Sequence, residues 1–208
     1  MINYQKAIGE GLGLEIVNRL SREHHTYHVK SQEGAEFVVK LSPRDRTVSY
    51  YRDLAAESQM LDALSGPITL YDPRLSPLAD FTPCVPKSHG LRYGLTELLI
   101  LPPHQIRRKS QASFLVLFRE YLDGRRLEEN ELLEPSQTTS LRNTVYAVQK
   151  AGFCRLDLSS RNILIQDQTN LPFLLDLSQA LPKSGLEGAT FEELCVEDLE
   201  AIDFIGQG

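Results

Sequence analysis

Short runs of hydrophobic residues separated by polar turns predict a mixture of strands and helices along this chain. Residues 14–20, 26–29 and 37–41 have the composition of strands, and the last of these is rich in β-branched residues. Residues 32–35 have the chemistry of a turn, so the three strands are expected to form an antiparallel meander. Apolar residues then recur at helical spacing over residues 48–64, which predicts a helix.

After residue 66 the hydrophobic pattern is irregular up to residue 110, and it then predicts distinct strands and helices. Residues 67–110 are rich in proline and are expected to be irregular, with a single strand over residues 98–101. The elements predicted after this segment are a buried strand (114–118), a hinge (120–124), a helix (138–150), two short strands (163–165 and 173–175) and an amphipathic helix (191–204). This order predicts an α+β fold with a cleft at the hinge.

Composition and charge narrow the classes of function. Hydrophobic residues make up 41% and charged residues 24% of 208 residues, as in ordinary folded domains. The net charge of −6 gives no reason to expect general binding to nucleic acid or to an anionic membrane. Three widely spaced cysteines and the absence of a basic, apolar leader favour a reducing compartment, the cytosol or the nucleus. No run of residues is apolar enough to predict a membrane span.

Three polar residues next to the short strands carry the most specific chemistry. Asp157 and Asn162 lie five residues apart in a loop that leads into the strand 163–165. Asp176 follows the next apolar strand, fourteen residues after Asn162. Phosphoryl transfer needs a carboxylate near the acceptor hydroxyl and oxygen ligands for Mg²⁺, and these three residues can supply that set. Each half of the pattern alone is also compatible with an ordinary polar turn.

The segments R-L-D-L-S-S-R-N and D-L-S-Q resemble the catalytic loop and the metal loop of the protein-kinase-like superfamily. The sequences of these two segments are most similar to the corresponding motifs of the RIO-type and other small atypical kinases. The resemblance implies that Asp157 is the catalytic base and that Asn162 and Asp176 are Mg²⁺ ligands. It also implies a two-lobed kinase-like fold in a single domain over residues 1–208, with an N-lobe at about 14–119 and a C-lobe at 120–208.

The first half of the chain contains residues that the same resemblance would require. Lys40 ends the V-V-K run within the strand 37–41, and Glu57 lies on the following helix. In this family a strand lysine holds the α- and β-phosphates and pairs with a helix glutamate. By this match Lys40 and Glu57 position the nucleotide, with Asp53 as the other possible partner of the lysine. The backbone of the hinge residues Glu120 and Leu122 is expected to meet adenine.

The sequence departs from the family pattern in three places. The segment 21–26 has no glycine-rich loop, and an alternative register would use Gly9, Gly11 and Gly13 together with Lys30 in place of Lys40. Arg155 stands where the family has histidine. Only 32 residues follow Asp176, which predicts a truncated C-terminal lobe without the usual peptide-binding platform.

The function expected from this resemblance is an ATP- and Mg²⁺-dependent phosphotransferase whose acceptor is a Ser/Thr of a protein or a small-molecule hydroxyl. The alternatives are a pseudokinase that acts as a nucleotide-binding scaffold, and a slow ATPase that acts as a switch. His24, His25 and His28 are close enough in sequence to form a metal pair, but solvated histidines on a strand and turn are the expected arrangement. The sequence does not identify the acceptor.

Overall fold

The structure is a computed structural model, which describes residues 4–21, 25–43, 48–72, 75–100 and 108–205. The chain divides into two compact units. The first contains Met1–Ser58 and Ser88–Tyr121, and the second contains Gln59–Lys87 and Leu122–Gly208. Among the described residues, no helix combines the length and the apolar character that crossing a membrane requires.

The chain combines helices with antiparallel sheets, so the predicted α+β class is confirmed. The helices are α1 (Tyr4–Lys6), which continues into a π-helical turn (Ala7–Gly11), α2 (Val48–Ala63), α3 (Pro135–Lys150) and α4 (Gly188–Phe204). The strands are β1 (Glu15–Ser21), β2 (Thr26–Lys30), β3 (Glu36–Pro43), β4 (Ile68–Asp72), β5 (Leu75–Phe81), β6 (Ser88–Ile100), β7 (Arg108–Glu120), β8 (Gly124–Arg126), β9 (Phe153–Cys154), β10 (Ile163–Gln166), β11 (Pro172–Leu174) and β12 (Leu181–Pro182).

The first unit is organised around a five-stranded antiparallel sheet with the strand order β1-β2-β3-β7-β6. Apolar side chains from β2, β3 and β7 form a buried cluster, which also includes Ile8 from the turn that precedes β1. The members of this cluster are Ile8, Tyr27, Val29, Val39, Leu41, Val116 and Phe118. Because side chains alternate between the faces of a strand, the residues between these positions, such as Lys40, point to the opposite face.

The second unit contains short strands and two long helices. Strand β10 lies between β11 and β8 in a three-stranded antiparallel sheet, and β9 pairs with β12. Helix α3 begins at Pro135 with a reciprocal capping interaction between Glu134 and Gln137, which satisfies N–H groups that would otherwise lack partners. The apolar face of α3, including Leu141, Val145 and Val148, is fully buried. This sheet and α3 support the loops that contain Asp157 and Asp176.

The expectation of irregular structure over residues 67–110 is wrong for most of that segment. It contains β4, β5, β6 and the first residues of β7. Strand β6 pairs with β7 through most of its length, from Ser88–Arg119 to Ile100–Arg108. The proline and glycine residues concealed this hairpin, because its stability comes from pairing between strands and not from local preference. Of the predicted strand 98–101, residue 101 lies outside the described residues.

We predict that Gly124→Ala destabilises the protein by about 1 to 3 kcal/mol, the usual cost of overpacking. A Cβ atom at Gly124 would lie 2.3 Å from the backbone oxygen of Ile165 and 2.6 Å from a methyl group of Leu164. Urea denaturation measures the effect. Gly188→Ala is the matched control, because a Cβ at Gly188 meets no described atom within 4 Å. Equal stability of the two variants would contradict the close approach of β8 to β10.

Candidate functional site

A buried ion cluster lies in the first unit, where β3, β7 and α2 each contribute one charged side chain. Lys40 Nζ lies 3.0 Å from both carboxylate oxygens of Glu57. Arg119 Nη1 lies 2.8 Å from Glu57 Oε1. The side chain of Glu57 is 0% exposed, and those of Lys40 and Arg119 are each 7% exposed. The expected pairing of Lys40 with Glu57 is therefore present, and Arg119 is an additional member that the sequence did not reveal.

The alternative register of the glycine trio is not supported by the geometry. Gly9 and Gly11 lie in the π-helical turn before β1 and not in a loop between two strands. Lys30 is 43% exposed and lies 3.6 Å from Glu36 at the surface. Lys40, in contrast, is held in a buried cluster. Residues 22–24 of the predicted β1–β2 turn lie outside the described residues, as does the side chain of Asp53.

In the second unit, Asn162 connects the two candidate loops. Its side-chain amide donates a hydrogen bond to the carbonyl oxygen of Asp157 at 3.1 Å. The backbone carbonyl oxygen of Asn162 accepts a hydrogen bond from the backbone N–H of Leu175 at 2.8 Å. Leu175 directly precedes Asp176, whose Oδ1 accepts a hydrogen bond from the N–H of Ser178 at 3.0 Å. One hydrogen-bonded network therefore contains Asp157, Asn162 and the residue next to Asp176.

The Asp157 carboxylate is accessible and ionised. It is 30% exposed, and Arg161 Nη2 lies 3.1 Å from its Oδ2. Burial favours the neutral form of Asp157, but hydrogen bonds from Ser159 and Arg161 outweigh it and hold the pKa of Asp157 below its ordinary value. The carboxylate is thus negatively charged at neutral pH and can accept a hydrogen bond from a hydroxyl group. Arg161 is itself 75% exposed and therefore open to a ligand.

Asp198 supports this loop from α4, and sequence reasoning missed it. Its side chain accepts hydrogen bonds from the backbone N–H groups of Arg155 at 2.9 Å and Leu156 at 2.7 Å. These bonds hold Arg155 at φ 60°, a left-handed conformation that is costly for a residue with a side chain. Asp198 therefore positions the backbone just before Asp157. A sequence signal existed, because Asp198 is at helical spacing from Phe191 and Ile202, both apolar.

The predicted hinge residues follow β7. Glu120 is the last residue of that strand and pairs with Phe37 of β3. One of the three points at which the chain passes between the two units lies between Tyr121 and Leu122, within the predicted hinge 120–124. Leu122 is 8% exposed. The binding of adenine by the backbone of Glu120 and Leu122 stays a prediction.

The expectation of solvated histidines is wrong for His28. Its ring is buried, stacks on Tyr121 with 3.7 Å between ring centroids, and has Nε2 3.2 Å from Glu36 Oε2. Burial of this ring follows from its place on β2, a strand buried along most of its length. His25 stacks on Tyr4 with 4.0 Å between ring centroids, and His24 lies outside the described residues.

The donors that the resemblance implies in the second unit are of the type that Mg²⁺ takes at nucleotide sites. Within the part of the chain that the structure describes, no group of three or more His, Cys, Asp and Glu residues could hold a metal ion. The ligand set that the resemblance implies has one carboxylate, from Asp176, and one amide oxygen, from Asn162. Mg²⁺ at nucleotide sites takes one or two carboxylates and completes its octahedron with phosphate oxygens and water.

We predict that the stability of the protein depends on pH through Asp198. Burial raises the pKa of Asp198 to about 6, above its ordinary value of 3.8. The folded state therefore binds the proton of Asp198 more tightly than the unfolded state does. The stability that comes from this protonation is present at low pH and is lost as the pH rises through 6. Between pH 5 and pH 7 the free energy of unfolding should fall by about 1 kcal/mol. Urea denaturation at both pH values measures this change.

Two variants on α4 isolate that contribution. Asp198→Asn cannot titrate, so its stability should change less between pH 5 and pH 7 than that of the wild type. Asp203→Asn removes an exposed carboxylate that pairs with Arg142, and it should keep the pH dependence of the wild type. Identical pH dependence of wild type and Asp198→Asn would contradict the prediction.

Comparison with known proteins adds no family assignment. No protein-family model matches the chain, and no curated protein matches it in sequence. The functional interpretation therefore depends on the geometry of the two sets of residues and on the resemblance of the motifs.

Proposed function

We propose that this protein is a kinase-like phosphotransferase that transfers the γ-phosphoryl group of ATP to a hydroxyl acceptor in the presence of Mg²⁺. The observation that carries the proposal is the buried ion pair between Lys40 and Glu57. The sequence suggested this pair only through its resemblance to the protein-kinase-like superfamily. A fully buried carboxylate is costly unless it is paired, and the strand lysine that pairs with Glu57 is the residue type that holds nucleotide phosphates in kinase-like proteins.

The first set of residues would bind the nucleotide. Lys40 would place its ammonium group on the α- and β-phosphates, and Glu57 would hold that group in position before the nucleotide binds. The backbone groups of Glu120 and Leu122 would bind the adenine ring.

The second set of residues would hold the metal and the acceptor. Asn162 and Asp176 would supply oxygen ligands to Mg²⁺. When bound, Mg²⁺ neutralises negative charge on the phosphate oxygens. The hydrogen bonds from Asn162 to the backbone of Asp157 and from Leu175 to the backbone of Asn162 tie the two loops together. Holding the reacting groups in position is a main contribution of a protein to phosphoryl transfer, because the protein itself takes little part in covalent chemistry.

Asp157 would act on the acceptor. Its carboxylate accepts the hydrogen bond of the hydroxyl group and then the proton, as the acceptor oxygen bonds to the γ-phosphorus atom. The bond between this phosphorus and the β–γ bridging oxygen breaks, and ADP leaves with the electron pair. Arg161, 3.1 Å from the Asp157 carboxylate, places a positive charge beside the reacting groups. The products are ADP and a phosphorylated acceptor.

Two measurements test the proposal. Thermal unfolding in the presence of ATP, with and without Mg²⁺, detects binding, because a ligand that binds only the folded state raises the midpoint. Incubation with γ-labelled ATP and a panel of protein and small-molecule hydroxyl acceptors detects transfer. We expect stabilisation by ATP and Mg²⁺ together and label in at least one acceptor.

The other outcomes separate the alternative functions. Nucleotide binding without any turnover would identify a nucleotide-binding scaffold. Release of inorganic phosphate without a labelled acceptor would identify an ATPase. The proposal fails outright if ATP neither stabilises the protein nor is turned over.

A further inference from the structure

The register of β3 and β7 places Arg119 beside Lys40 on one face of the sheet. Val38 is opposite Arg119, and Lys40 is opposite Leu117. Since alternate residues of a strand share a face, Lys40 and Arg119 project from the same side at diagonal positions. Glu57 on α2 meets both of them with one carboxylate.

The two cations contact the Glu57 carboxylate in different ways. Lys40 contacts both oxygens at 3.0 Å, and Arg119 contacts only Oε1, at 2.8 Å. A lysine is a compact charge on a flexible stem, whereas an arginine presents a planar group that loses less freedom when it binds. Arg119 is therefore the better anchor for Glu57, and Lys40 is the better candidate to move toward a ligand.

A buried carboxylate needs a partner at all times. Glu57 is fully buried, so it would be left without compensation if Lys40 turned its charge toward the phosphates of a nucleotide. Arg119 keeps a charged hydrogen bond to Glu57 during that change. We propose that Arg119 is a positioning residue, which holds Glu57 in place before nucleotide binds and lets Lys40 engage phosphate at low cost.

The effect on nucleotide affinity rests on the proposed function, whereas the effect on the Lys40–Glu57 pair does not. Arg119→Met is the test variant. It leaves the ion pair of Lys40 and Glu57, whose charges sum to zero, so the variant should fold. Arg119→Lys tests rescue by a cation. Arg92→Met is the matched control, because Arg92 lies on β6 with its guanidinium 5.1 Å from the ring of Phe118, outside the ion cluster.

Affinity for ATP and for adenosine is the first measurement, made by calorimetry. We expect Arg119→Met to raise the Kd of ATP by about tenfold, while the Kd of adenosine stays within about twofold of the wild type. Arg119→Lys should remain within about threefold of the wild type for ATP, and Arg92→Met should match it for both ligands. If Arg119→Met weakened the binding of ATP and the binding of adenosine equally, Arg119 would have a merely structural role and the proposal would be overturned.

Nuclear magnetic resonance of the lysine ammonium groups, without nucleotide, is the second measurement. The Lys40 signal is identified by its loss in Lys40→Met. We expect slow proton exchange at Lys40 in the wild type and faster exchange, with a broadened signal, in Arg119→Met. An unchanged Lys40 signal would overturn the proposal. If the wild type binds neither ATP nor adenosine, the proposed function has failed, and this signal alone decides the role of Arg119.

Discussion

Asp157→Asn is expected to reduce the rate of phosphoryl transfer by about 10²- to 10⁴-fold, the usual contribution of a positioned general base. The amide that replaces the carboxylate has nearly the same shape but cannot accept the proton of the acceptor hydroxyl. The affinity for ATP should remain within about twofold, because the proposed role of Asp157 is in the chemical step. Single-turnover kinetics with γ-labelled ATP, together with equilibrium binding, separates these two effects.

Asp167→Asn is the control for this variant, because Asp167 lies on the exposed turn after β10, away from the loop network. It should retain the rate of the wild type. If Asp157→Asn keeps that rate as well, Asp157 is not the base. A parallel loss of ATP affinity would instead indicate that Asp157 acts mainly in binding.

Glu57→Gln is expected to destabilise the protein by about 3 to 5 kcal/mol, the usual effect of removing one partner from a buried ion pair. The change leaves Lys40 and Arg119 without the carboxylate that they share, and two buried positive charges then face a neutral amide. Lys40→Met should cost less, because Glu57 retains Arg119. Urea denaturation of the three proteins measures both differences.

Glu36→Gln provides the matched control in the same unit. Glu36 is 38% exposed and pairs with Lys30 at the surface, and a glutamine there can still hydrogen-bond to His28, so the change should cost less than about 1 kcal/mol. If Glu57→Gln were no more destabilising than Glu36→Gln, the prediction that the buried ion cluster stabilises the protein would be wrong.

The parts of the fold that the sequence predicted are those with local signals. Helical spacing of apolar residues located α2 to within one residue of its observed end at Ala63. The apolar runs beside Asn162 and Asp176 located β10 and β11, also to within one residue at each end. Short apolar runs and helical periodicity depend on neighbours along the chain, so one sequence is enough to identify them.

The residues that were missed depend on contacts between distant segments. Arg119 ends an apolar run and resembles an ordinary charge at a strand end, and only the pairing of β7 with β3 places it beside Lys40. Asp198 is one acid among several in α4, and only its contact with the loop before Asp157 distinguishes it. The hairpin of β6 and β7 was missed for the same reason, because strand pairing is not a local property.

The Mg²⁺ dependence of ATP binding tests the central claim most directly. Calorimetric titration of ATP into the wild type should give a lower Kd with Mg²⁺ than without it. In Asp176→Asn the Mg²⁺-dependent gain should disappear, while the affinity for ATP in the absence of Mg²⁺ stays unchanged. An affinity for ATP that is independent of Mg²⁺ in the wild type, or a gain from Mg²⁺ that Asp176→Asn leaves intact, would contradict the assignment of Asp176 as a metal ligand.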